Sequence, residues 1–212
     1  MTKERAMEII KELEITPSLD RCEIDEIITD KNLDNEIEVH SGASKICITF
    51  LKADFVIKWA KGREYQKNKE ANEALREVEV YKKSKKERLE MFFPYTESIG
   101  KINEVSFVLQ KKIDFSVAEI DFRKEQKYHN IAKTTSLKMI KKMEKGFQIK
   151  KSCYNRYLDS LWAGMALTLY GKAVCKRLCD FIQKNQINDL HSHNIGYKDD
   201  KPVILDFSGY FR

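Results

Sequence analysis

The sequence predicts an α+β fold in which a small antiparallel β-sheet precedes a helical half. Short runs of alternating apolar residues, bounded by turn-forming residues, are concentrated between residues 36 and 113. Helical periodicity lies before and after that stretch, and its strongest instance covers residues 156–185. Segregated runs of strands and helices are typical of α+β folds. We therefore expect a helical extension over 1–35, the sheet within 36–113 and a helical half over 114–212.

Composition sets limits on the class of protein. The 212 residues are 34% charged and 42% hydrophobic, which is ordinary for a globular chain able to bury one sizeable core. The longest uncharged apolar run, residues 161–171, is too short to span a bilayer, and residues 1–5 lack the apolar core of a signal peptide. The five cysteines form no Cys-x-x-Cys pair. We expect a cytoplasmic protein with reduced thiols and no membrane partner.

Two helices are predicted at the N-terminus. Thr2 can cap a helix over residues 3–14, and Ser18 or Asp20 can cap a second over about 20–29. Both have isoleucines at helical spacing but no catalytic signature. Packing on the sheet and binding a partner protein remain alternatives for this pair.

Five strands are predicted next, at residues 37–39, 46–50, 55–59, 101–103 and 105–109, with one long helix over 73–89. The first two strands are joined by Ser41, Gly42, Ala43 and Ser44. A loop of such small residues lets backbone N–H groups approach phosphate oxygens, although one glycine between strands is also typical of a simple turn. The third strand contains Lys58 in an otherwise apolar run, a position that calls for solvent or a partner.

The C-terminal half contains the most informative motif. Helices are expected near 116–128, 135–145 and, most strongly, 156–185. Asp189 then precedes Asn194 by five residues, and a strand–turn–strand pattern over 195–205 leads to Asp206. Metal-bridged phosphates require hard oxygen ligands, and a hydroxyl acceptor requires a carboxylate to take its proton. The alternative is a purely structural role, in which Asp189 and Asn194 cap a loop and Asp206 forms a turn at the end of a strand.

This pattern resembles the protein kinase-like superfamily, closest to its aminoglycoside phosphotransferase and small-molecule kinase branch. The catalytic loop H-R-D-x-x-x-x-N is matched by Ile187-Asn188-Asp189-Leu190-His191-Ser192-His193-Asn194, and the D-F-G motif by Asp206-Phe207-Ser208. The resemblance covers residues 36–210 and implies a two-lobed fold with a five-stranded N-lobe and a reduced, helical C-lobe. It also implies ATP and Mg²⁺ as cofactors.

The resemblance assigns roles to individual residues. Lys58 would contact the α- and β-phosphates and pair with a glutamate of the following helix. The candidates are Glu73, Glu77 and Glu79. We choose Glu77, because Val78 beside it can face the sheet, and keep Glu73 as the alternative. Residues 41–44 would cover the phosphates, and the backbone of Gln110, Lys111 and Lys112 would form the hinge that binds the adenine edge. Magnesium would be held by Asn194 and Asp206, while Asp189 would orient the acceptor hydroxyl.

Several features depart from the family. The position after Asp-Leu is His191, which could donate a hydrogen bond to the transferred phosphate, whereas His193 has no assigned role. The two histidines also resemble part of a zinc site, but no further ligands are apparent. Ile187 and Asn188 replace the usual His-Arg. The chain ends six residues after Asp206, so an acceptor pocket would come from residues 114–157, from the N-terminal helices, or from a second copy or partner protein.

The functional prediction is therefore transfer of the ATP γ-phosphate to a hydroxyl group of a small molecule or an atypical protein site. The alternative is a catalytically weak, pseudokinase-like module that binds nucleotide for regulation or scaffolding. A lysine-rich stretch over 138–151 has two possible explanations: it forms the solvated face of a helix, or it binds an anionic partner. Because it lacks interleaved aromatic residues, we expect no nucleic-acid partner.

Overall fold

The chain divides into two units, which are described separately. A computed structural model describes residues 1–42, 44–68, 71–113, 160–187, 194–199 and 201–208. The sheet unit comprises Met1–Tyr81 and Tyr95–Lys112, and the helical unit comprises Lys82–Pro94 and Ile113–Arg212. The division at residue 112 lies one residue from the predicted boundary. Residues 1–35 fall within the sheet unit, and residues 82–94 fall within the helical unit.

The sheet unit contains the predicted five-stranded antiparallel sheet. Its strands follow the order β1-β2-β3-β5-β4. They are β1 (Ile37–Ser41), β2 (Lys45–Phe50), β3 (Phe55–Ala60), β4 (Thr96–Ile102) and β5 (Val105–Lys111). The fourth strand begins five residues before its predicted start at 101. It is an edge strand with a register shift between Ser98 and Gly100, so its alternation is interrupted and the sequence pattern misses its first half.

Two N-terminal helices cover one face of this sheet. They are α1 (Lys3–Glu12), capped by Thr2, and α2 (Arg21–Asp30), capped by Asp20 in a capping box with Glu23. Their buried faces join one hydrophobic core with the sheet. The core residues include Ile9, Ile10, Ile24, Ile28, Ile46, Ile48, Trp59 and Phe107. The structure therefore shows the first of the two expected alternatives: the N-terminal helices pack on the sheet.

The opposite face of the sheet is contacted by α4 (Glu73–Lys86), the long helix expected after the third strand. Ala74 and Val78 pack on Val108 of β5. The short α3 (Arg63–Lys67), which was not predicted, lies between β3 and α4. Its buried Gln66 donates to the carbonyl of Ala60 and accepts from the amide of Ser106, which ties this turn to two strands of the sheet.

The helical unit is built around α5 (Ser160–Lys184) and the hairpin of β6 (Ile195–Lys198) and β7 (Lys201–Ile204). The indole of Trp162 donates to the Val203 carbonyl at 3.1 Å, which joins helix and hairpin. The hairpin and most of the strongest helix were predicted, but α5 is broken at Gly171, where φ is 76° and ψ is 167°. The apolar pattern continues through this glycine, so the sequence did not indicate the break.

Residues 82–94 contribute the end of α4 and a 3₁₀ turn, Glu90–Phe92. Phe93 contacts Phe181 of α5 and Phe207, with ring centroids 5.6 Å and 5.0 Å away. The helices predicted near 116–128 and 135–145 lie outside the described residues. Among the helices that are described, none combines the length and apolarity needed to cross a bilayer.

Candidate functional site

One face of the sheet is polar although it lies over a helix. Along β2, Lys45, Cys47 and Thr49 alternate with apolar residues that enter the core with α1 and α2. Cross-strand register adds Lys58 opposite Cys47, and Gln110 opposite Thr96. We call this set (Lys45, Cys47, Thr49, Lys58, Thr96 and Gln110) the polar face.

Lys58 is paired with the glutamate chosen from the sequence. Its Nζ lies 3.5 Å from Oε2 of Glu77, whose side chain is fully buried, while the Lys58 side chain is 14% exposed. The pairing follows from α4, because Val78 packs on Val108 and the adjacent Glu77 projects toward β3. The predicted ion pair is therefore confirmed, and Glu79, two residues further along α4, is exposed.

Lys45 belongs to the same cluster and was missed by the sequence analysis. Its Nζ lies 2.7 Å from Oε1 of Glu77 and 3.9 Å from Oε2 of Glu73, and its side chain is only 9% exposed. The Ser44 hydroxyl donates to the same Glu73 oxygen. Alternation along β2 could have revealed Lys45, since it shares the parity of Cys47 and not that of the buried Ile46 and Ile48. Glu73, the alternative partner for Lys58, contacts Lys45 instead.

Gln110 contributes its side chain to the cluster. Its Nε2 donates to Oε2 of Glu77 at 3.0 Å and to Oγ1 of Thr96 at 3.3 Å. The predicted hinge role concerned the backbone of residues 110–112. In this structure the amides of Lys111 and Lys112 donate to the carbonyls of Tyr95 and Asp54, at 2.8 Å and 2.7 Å. These two N–H groups are used inside the sheet unit and are not available to an adenine edge.

The turn between β1 and β2 is tight. The Gly42 amide donates to the Lys45 carbonyl at 2.9 Å, and the Gly42 carbonyl accepts from Nζ of Lys61 at 2.5 Å. Among the described residues, a side chain at position 42 would meet the Lys45 carbonyl oxygen, at 3.8 Å, which is an ordinary contact, so packing does not require glycine there. The Gly42 amide is thus part of the hairpin, Ser41 is the last residue of β1, and Ala43 lies outside the described residues.

Cys47 is a thiol on the polar face that lies within the electrostatic influence of Lys58, Lys45 and Glu77. Desolvation raises its pKa to about 11, and the charge of Glu77 acts in the same direction, while Lys58 and Lys45 offset part of the rise. The thiol is therefore protonated at neutral pH, and its part in the site is that of a small, weakly polar neighbour of Lys58.

Asn194 and Asp206 come together in the helical unit. They flank the paired ends of β6 and β7, where Ile195 is opposite Ile204 and the Leu205 amide donates to the Asn194 carbonyl at 2.9 Å. The Ser208 hydroxyl lies 3.1 Å from Oδ1 of Asp206 and donates to it. An amide oxygen and a carboxylate at one end of a hairpin are the hard donors that fit Mg²⁺.

The other predicted catalytic residues, Asp189 and His191, lie outside the described residues, as does His193. Within the described ranges, no cluster of three or more histidine, cysteine or acidic residues could hold a metal ion. Comparison of the sequence with models of known protein families and with characterised proteins finds no match. Two groups of described residues are therefore the candidates for function: the lysine–glutamate cluster of the sheet unit, and Asn194 with Asp206 in the helical unit.

Proposed function

We propose that this protein is an ATP- and Mg²⁺-dependent phosphotransferase with a kinase-like, two-lobed fold. It would transfer the γ-phosphate to a hydroxyl group of a small molecule or an atypical protein site. The main support is the ion pair between Lys58, in the middle of β3, and the fully buried Glu77 of α4. Burying a lysine and a glutamate is costly unless each has a partner. A buried ion pair on a sheet face is therefore typical of a functional site, here one that binds an anion.

The proposed mechanism assigns one task to each group. Lys58 binds the α- and β-phosphates, and Glu77 orients its ammonium group. Asn194 and Asp206 hold magnesium, which neutralises the charge on the phosphates when bound. Asp189 orients the acceptor hydroxyl and takes its proton, and His191 donates a hydrogen bond to the transferred phosphate. Catalysis would thus consist of positioning and charge neutralisation.

The test uses the purified chain of residues 1–212 with Mg²⁺ and γ-labelled ATP. Because the acceptor is unidentified, the readouts are nucleotide binding, ATP hydrolysis and autophosphorylation. We expect Asp206→Ala and Asp189→Ala each to lower turnover by about a hundredfold or more. Asp180→Ala is the matched control, because Asp180 is exposed on α5 and its replacement removes the same charge. Absence of Mg²⁺·ATP binding, or turnover retained by Asp206→Ala, would contradict the proposal.

A second candidate is the pseudokinase-like module, which binds nucleotide without efficient transfer. One observation favours it: the amides of Gly42, Lys111 and Lys112 are already bonded within the sheet unit. Fewer backbone N–H groups are therefore available to bind phosphate and adenine than an active phosphotransferase would use. Nucleotide binding that persists while hydrolysis and autophosphorylation stay at the level of Asp206→Ala would select the module.

A further inference from the structure

Glu77 has more partners than a lysine-orienting glutamate needs. Its Oε1 accepts from Lys45 at 2.7 Å, and its Oε2 accepts from Gln110 at 3.0 Å. Lys58 approaches Oε2 only to 3.5 Å. Charge-assisted N–H···O bonds are typically about 2.7–2.9 Å long, so the strong bond belongs to Lys45 and the looser ion pair to Lys58.

This geometry divides the charge of one carboxylate between two ammonium groups. Lys45 has Glu73 as a second counter-charge at 3.9 Å, whereas the ion pair of Lys58 among the described residues is with Glu77. The positive charge of Lys58 is consequently less compensated than that of Lys45. In a buried, weakly polar setting, an incompletely compensated ammonium group attracts an anionic ligand strongly.

We propose that Lys45 is a positioning residue that keeps Lys58 available to phosphate. By occupying Oε1 of Glu77, Lys45 prevents Lys58 from closing onto the carboxylate with a short bond. The proposal rests on the nucleotide-binding function proposed above and assigns Lys45 no contact with the nucleotide. Without Lys45, Lys58 is the one ammonium group left beside Glu77 among the described residues. Lys58 would then shorten its contact with Glu77 and have to break it before binding phosphate.

Removal of Lys45 should therefore weaken phosphate binding through Glu77. We expect Lys45→Met to raise the Kd of Mg²⁺·ATP by about tenfold, the size expected when one charge-assisted hydrogen bond must be broken. The Kd of adenosine, which has no phosphate, should stay unchanged. Lys45→Arg keeps a cation beside Glu77 and should restore most of the affinity.

The decisive variant is Lys45→Met combined with Glu77→Gln. A neutral glutamine cannot hold Lys58 by charge, so the double variant should bind Mg²⁺·ATP more tightly than Lys45→Met. If Lys45 instead contacted phosphate itself, the second substitution would restore nothing. If Lys45 only stabilised the fold, Lys45→Met would weaken adenosine and ATP binding equally.

The measurements are isothermal titrations of the chain of residues 1–212 with Mg²⁺·ATP and with adenosine. Lys101→Met is the matched control, because Lys101 is an exposed lysine of β4 in the same unit. Unchanged ATP affinity in Lys45→Met, alongside a loss in Lys58→Met, would overturn the role of Lys45 and leave the proposed function standing. Failure of the unaltered chain to bind Mg²⁺·ATP would instead refute the proposed function itself.

Discussion

Replacing Glu77 by alanine tests the central cluster through stability, independently of any ligand. Glu77 is fully buried and compensates Lys45 and Lys58, whose side chains are 9% and 14% exposed. Removing one partner of a buried ion pair typically costs about 3–5 kcal/mol. Lys45 keeps Glu73 at 3.9 Å and Lys58 keeps some contact with solvent, so we expect about 3 kcal/mol, at the lower end of that range.

The assay is urea denaturation of the chain of residues 1–212, and the free energy of unfolding is determined for the sheet unit. Because two units can unfold separately, a signal specific to one of them is needed. The chain has two tryptophans: Trp59, buried in β3 of the sheet unit, and Trp162, in the helical unit. A Trp162→Phe background therefore leaves Trp59 fluorescence as the reporter for Glu77→Ala.

Two further variants decide what the result means. Glu79→Ala, at an exposed position of the same helix, should cost less than about 0.5 kcal/mol. Replacing three charged side chains at once, by Lys45→Met, Lys58→Met and Glu77→Leu, should recover most of the lost stability, since neither lysine is then left as a buried charge without Glu77. A cost of Glu77→Ala no larger than that of Glu79→Ala would refute the reasoning about buried charge.

Three other predictions concern stability. The pKa of the Cys47 thiol is about 11 in the folded chain and about 9.0 in the unfolded chain. The unfolded chain therefore loses this proton at lower pH, so the free energy of unfolding should fall as the pH rises from 9 to 11. Cys47 is partly exposed, so we expect at most about 2 kcal/mol, measured as the difference between Cys47→Ala and the unaltered chain in urea melts at pH 8 and 10.5. Gly171→Ala should lower the free energy of unfolding followed by Trp162 fluorescence by about 1 kcal/mol, because φ at position 171 is 76°. Asp20→Ala should cost about 1 kcal/mol in thermal unfolding through loss of the capping box, and equal melting curves would contradict this.

The elements that the sequence predicted well depend on neighbours close along the chain. Thr2 and Asp20 cap helices because their side chains reach amides three residues away. The strands around Ile48 and Ile57 follow from period-two alternation. The errors occur where that local signal is interrupted. The bulge near Gly100 concealed the start of β4, and the apolar run through Gly171 concealed a helix break.

The candidate site was predictable only in part, for the same reason. Lys58 was identifiable as a charged residue in an apolar strand. Asn194 and Asp206 were identifiable from their positions on either side of a predicted hairpin. Alternation could have placed Lys45 on the face of Cys47, but its pairing could not be predicted, because its partner Glu77 is 32 residues away in the chain. Gln110 had been assigned a backbone role, and its side-chain bond to Glu77 became apparent only when β5 and α4 were placed together.

By itself, the sequence determined the α+β class and the antiparallel five-stranded sheet, since propensity, alternation and caps are short-range properties. It also indicated Glu73, Glu77 and Glu79 as candidate partners of Lys58. Tertiary structure alone decided that Lys45, Lys58 and Gln110 converge on a single carboxylate, and that the backbone donors of Gly42, Lys111 and Lys112 are used internally. The physical reason is that burial and pairing of charge depend on which strands and helices become neighbours, and no window of sequence contains that information.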